Sequence, residues 1–139
     1  MNTLDLVTFG FLNTRDPIAI IFILALFALG IALPFRNILR WVGFYRPPLP
    51  RMVHVFAAIP ETIVFRWLLL TYLIMSFEPL TAIIIAAVIY ATFMNFVYGT
   101  EGIAEGLVTG IIFGLAFLQF GIAIVIFAHI VYRAIVAAW

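Results

Sequence analysis

The chain has 139 residues, 67% of them hydrophobic and only 9% charged, against roughly 45–50% and about 25% in an ordinary soluble domain. Its mean hydropathy is +1.28, and a soluble fold of this length has too little interior to hide that much apolar surface. The net charge is +1, all seven basic residues are arginine, and there is no cysteine. No basic field exists to attract nucleic acid, and disulfides, cysteine-ligated zinc and thiol catalysis are excluded.

In chain order, residues 1–16 lack a basic stretch and carry Asp5 and Asp16, so the apolar run that follows reads as a retained span rather than a cleaved signal. A membrane-spanning helix needs about 20 apolar residues. The first candidate covers residues 17–35, with Asp16 as cap and Pro17 in the first helical position. Residues 37–44 suit a short interfacial helix, with Trp41, Phe44 and Tyr45 at headgroup level. The RPPLP run at 46–50 is a stiff connector. The second span covers 52–76 and the third 79–98. Residues 106–139 hold two short spans, with the break at Gln119, Phe120 and Gly121. The sequence thus predicts an all-α membrane protein of about five transmembrane helices. Residues 1–51 form an N-terminal helix and basic loop, and 52–139 a four-helix membrane core.

Arg36, Arg40, Arg46 and Arg51 all fall between the first two spans. The positive-inside rule places that loop in the cytoplasm, the N-terminus outside and the C-terminus inside. The bias suits a bacterial-type inner membrane or one derived from it.

Gly102, Gly106, Gly110 and Gly114 recur every four residues and lie along one helix stripe. Glycines there let a neighbouring backbone approach closely. The neighbour is either another helix of this chain or a second polypeptide.

Ionisable groups at membrane depth are expensive and each needs a reason. Five polar residues stand out: Glu61, Arg66, Asn95, His129 and Arg133. By depth, Glu61, Asn95 and His129 can converge in one half of the bundle. His129 and Arg133 are four apart and share a face. Glu61 and Arg66 are five apart, about 140° on an ideal helix, so a direct pair would need help from a bend at Pro60. Glu78, Glu101 and Glu105 fall at predicted helix ends and read as solvated, and His54 reads as interfacial. The five residues admit three roles: a salt-bridge cluster that fixes helix register, direct chemistry, or recognition of a ligand or partner.

The run Pro60-Glu61-Thr62-Ile63-Val64-Phe65-Arg66 resembles the first motif, Glu-Glu-x-x-x-Arg, of the CPBP intramembrane proteases, which include CAAX prenyl endopeptidases and bacteriocin-processing (Abi) proteins. Residues 90–95 lie where that family carries Phe-x-x-x-His, and 106–136 resemble its glycine-rich helix followed by His-x-x-x-Asn. The resemblance covers about 52–139. It implies a glutamate that activates water, with histidines and an asparagine completing a catalytic or metal centre. Matched residue by residue, Glu61, Arg66 and His129 agree. Thr62 replaces the second glutamate, Asn95 stands in place of a histidine, and Arg133 replaces the asparagine.

These departures leave too few ligands for a divalent ion, since zinc sites use at least three, and arginine cannot ligate a metal. No metal or other cofactor is expected. The leading expectation is a non-catalytic structural or assembly subunit whose partners are the bilayer and other membrane-protein subunits, with Arg133 paired to Glu61 and His129 hydrogen-bonded alongside. The alternative is a divergent CAAX-type endopeptidase, with Glu61 as base and His129 as ligand or oxyanion stabiliser. A third reading is a binder of a lipid, quinone or pigment, in which His129 could serve as an axial ligand.

Overall fold

The computed structural model describes residues 16–39 and 50–138. Every helix among them is apolar, and there are five: α1 (Pro17–Leu39), α2 (Arg51–Ile74), α3 (Pro79–Tyr98), α4 (Glu101–Phe120) and α5 (Ile122–Ala138). The first four are long and apolar enough to cross a membrane, and α5 is a shorter apolar helix. With its apolar composition, this makes the chain an integral membrane protein.

Local sequence sets the ends. At α1, Asp16 Oδ1 accepts the Ile18 N–H at 3.0 Å and Pro17 occupies the first turn, where a missing N–H costs nothing. The helix then runs past the expected end at residue 35 and through Pro34 to Leu39. A proline ring inside a helix crowds the carbonyl four residues earlier and removes one hydrogen bond, yet Pro34 is accommodated within the helix. Residues 37–39 therefore continue α1. The rest of the expected interfacial helix, and most of the basic loop, lie outside the described residues. At α3, Glu78 caps Leu80 N–H at 3.2 Å with Pro79 following.

Two tight turns need glycine. Gly99 (φ 82°) joins α3 to α4, and Gly121 (φ 91°) separates α4 from α5 within the expected 119–121 break. Both angles lie in the left-handed region that side chains disfavour.

Helix α4 is the centre of the bundle: 61% of its apolar window is buried, against 28–39% for α1, α2 and α3. Its glycine stripe faces α3. A Cβ at Gly102 would collide with the Met94 carbonyl oxygen and one at Gly106 with Ala91 Cα. A Cβ at Gly110 would lie 2.8 Å from Ala87 Cα, and one at Gly114 3.2 Å from Ile83 Cγ2. The face that α3 presents is lined by alanine (Ala87 and Ala91) for the same reason: small residues on both helices permit close approach. At these four positions the neighbour is thus a helix of the same chain. Helices α1 and α5 pack on the remaining sides of α4. Large side chains such as Phe22 and Leu26 on α1 and Trp67, Leu68 and Tyr72 on α2 point outward, as a lipid-facing surface requires.

Candidate functional site

The polar residues meet where α2, α3, α4 and α5 converge. Helix α2 is irregular there. Pro60 has no N–H to give the preceding turn, and Ile63–Leu69 form a π-helical segment. Its i→i+5 bonding places an extra residue in each turn, a geometry that recurs at functional sites. The consequence is a change of register. Glu61, Thr62 and Arg66 are all buried (7%, 0% and 2% exposed), although Glu61 and Arg66 would diverge on an ideal α-helix.

Arg133, fully buried on α5, is the hub. Its Nη1 donates to Glu61 Oε2 at 2.6 Å and its Nη2 to Glu61 Oε1 at 2.8 Å, the bidentate fork that guanidinium and carboxylate planes favour. On its other side Nη2 reaches Glu105 Oε2 at 2.8 Å and Nε reaches Glu105 Oε1 at 3.3 Å. Nη1 also donates to the main-chain carbonyl of His54 at 3.1 Å. The Tyr90 hydroxyl accepts from Nη2 at 3.1 Å and donates to Glu61 Oε1 at 3.2 Å. Every N–H of the guanidinium thus has an oxygen partner, which a buried ion pair needs if it is not to be a net burden.

Glu105 corrects the sequence reading. It lies in the first turns of α4, yet is only 8% exposed and pairs with Arg133. The cause is the glycine stripe: it draws α4 against α3 from its first turn, and that burial encloses Glu105. His54 is half-buried, and its carbonyl, not its ring, joins the network.

Arg66 forms the second cationic point. Its Nη2 donates to Thr109 Oγ1 at 2.9 Å, and Thr109 Oγ1 donates to the Glu105 carbonyl at 2.6 Å. The guanidinium carbon sits 4.1 Å from the Tyr90 ring centroid, within cation–π range. Tyr90 therefore touches both arginines, one through its ring and one through its hydroxyl. The formal charges of Glu61, Glu105, Arg66 and Arg133 sum to zero, which limits the cost of holding them in a low-dielectric bundle.

His129 is completely buried and its Nδ1 lies 3.0 Å from Thr62 Oγ1. It is adjacent to the ion cluster but bonded to the threonine, not to Glu61 or Arg133. Its ring meets Phe113, Tyr132 and Tyr90. Asn95 is not part of the network. Tyr90 and Met94, four apart, carry the inner face of α3, and Met94 Sδ lies 3.7 Å from Arg133 Nη2. Asn95, one position on, is turned away and half-buried. The structure therefore brings together Glu61, Arg66, His129 and Arg133, leaves out Asn95, and adds Glu105, Tyr90, Thr62 and Thr109.

The donor set does not fit a divalent metal. Among the described residues no three of His, Cys, Asp and Glu cluster in a way that could hold an ion. The two carboxylates that come closest already flank a guanidinium cation.

A family model described as "Type II CAAX prenyl endopeptidase Rce1-like" matches residues 45–135, well over half of the chain. The chain belongs to this family. The match spans the α2–α5 core and agrees with the resemblance carried by Glu61, Arg66 and His129. Comparison with curated proteins and with solved structures gives no match.

Proposed function

We propose that this chain is a non-hydrolytic member of the Rce1-like family, acting as a structural or assembly subunit of a membrane complex. The observation that carries the reading is the Arg133 fork on Glu61. A general base must present an oxygen to water at about 2.6–3.2 Å. Three of the roughly four acceptor positions of the Glu61 carboxylate are already filled, two by Arg133 and one by Tyr90. Arginine stays protonated under all ordinary conditions, so the lock does not open by losing its charge. Arg133 also sets a fixed positive charge where a catalytic cation would need to be. Partners in this reading are other membrane-protein subunits, which would dock on the outward apolar faces.

Enclosure of His129 by Phe113, Tyr132 and Tyr90, with Nδ1 engaged by Thr62, leaves no open approach for a pigment macrocycle. That weighs against axial ligation.

The test is cleavage of prenylated CAAX peptides and of a transmembrane peptide by the purified chain in proteoliposomes. Turnover should equal that of a folded Glu61→Ala variant. Cleavage by the wild type that disappears in Glu61→Ala overturns the proposal in favour of a divergent endopeptidase.

A further inference from the structure

Two buried side chains in the network retain polar atoms without partners among the described residues: Nε and Nη1 of Arg66, and Nε2 of His129. Arg66 is 2% exposed and His129 is 0% exposed. Buried polar groups almost always find a hydrogen-bond partner, and an orphan in a native fold calls for one. For a guanidinium at membrane depth the demand is stronger, because lipid supplies no acceptor.

The two orphans belong to neighbouring positions. Thr62, which holds His129, and Arg66 are four apart on α2. Thr109, which holds Arg66, and Phe113, whose ring lies 5.3 Å from that of His129, are four apart on α4. On α4 such spacing stacks the two on one face, and on α2 both Thr62 and Arg66 are buried inward. The Tyr90 ring borders both, with its centroid 4.1 Å from the Arg66 guanidinium carbon and 6.4 Å from the His129 ring.

Charge decides the class of ligand. Glu61, Glu105, Arg66 and Arg133 already balance, so an anion at Arg66 would leave the buried cluster one unit negative. A neutral acceptor leaves the balance intact. We propose that Arg66 Nε and Nη1, bordered by His129, form an internal site for a neutral oxygen ligand. That oxygen is either an ordered water or the carbonyl of a peptide or acyl chain lodged between the helices. A water would also suit His129 Nε2 in either tautomer, since it both donates and accepts. The site does not depend on whether the chain hydrolyses anything.

The experiment is a crystal structure of the full chain, grown from a lipidic mesophase containing bromide, at a resolution that shows ordered water. An isolated peak within hydrogen-bond distance of Arg66 Nε or Nη1 supports the site with water as its source. Continuous density ending there supports it with a carbonyl as its source. In an Arg66→Met crystal the peak should be gone while the Glu61–Arg133–Glu105 contacts persist. Absence of any acceptor at these atoms in the wild type, or a bromide anomalous peak in their place, overturns the proposal.

Discussion

Replacing Arg133 by methionine keeps the length of the side chain and removes its charge. Glu61 and Glu105, 7% and 8% exposed, would then face each other with no cation between them. Glu61 loses both donors of the fork, Glu105 loses two, and the His54 carbonyl and Tyr90 lose one each. Breaking a buried ion pair by removing one partner costs about 3–5 kcal/mol. Because two carboxylates are stranded here, the loss should fall at or above the upper end of that range. Removing the fork as a pair behaves differently, since a buried ion pair replaced by apolar groups of similar size is often neutral or stabilising. Arg133→Met combined with Glu61→Leu leaves Arg66 balanced by Glu105 and should therefore regain most of what the single change loses. Reversible unfolding in mixed detergent micelles, followed by far-ultraviolet circular dichroism, measures both. A single variant within about 1 kcal/mol of wild type, well below the expected range, would refute the assignment of Arg133 as the hub.

Three further outcomes follow from the packing and the network. Tyr90→Phe removes only the hydroxyl between Arg133 and Glu61, and should destabilise by about 1.5–3 kcal/mol, the range for hydrogen bonds to charged groups, in the same unfolding assay. Gly106→Ala sets a methyl against the Ala91 backbone and should cost about 1–3 kcal/mol or more through overpacking. Gly114→Ala meets first the Ile83 side chain, at 3.2 Å, which can shift, so its midpoint should move less than that of Gly106→Ala. Asn95→Ala should stay within about 0.5 kcal/mol of wild type, as a change outside the network does.

Much of the helical layout could be read in the sequence, because the bilayer imposes a length and polarity rule that composition obeys. The α4–α5 break at Gly121 was legible because a glycine interrupts an otherwise continuous apolar run. Running α1 past Pro34 was not, because proline normally signals an end. The site was half legible. Glu61, Arg66, His129 and Arg133 drew notice because charge at membrane depth is costly, but their angular relation was hidden. The π-helical segment Ile63–Leu69 resets the phase of α2, and no proline or glycine within it announces the change. Glu105 is hard to recognise in the sequence because a position near a helix end ordinarily means exposure. A signal was present: Glu105 and Thr109 are four apart and border the stripe at Gly102, Gly106 and Gly110. A stripe packed that closely buries its neighbours too. Tyr90 left no such trace, since one tyrosine in an apolar helix looks like any other core aromatic.

The account turns on Arg133 holding the space between Glu61 and Glu105 against any catalytic cation. An experimental structure of the wild-type chain in a bilayer mimetic with excess zinc, with diffraction recorded at the zinc edge, tests this directly. The account predicts the guanidinium between the two carboxylates and no anomalous peak at the cluster. A zinc peak bound by Glu61 and His129, with Arg133 displaced, would contradict it.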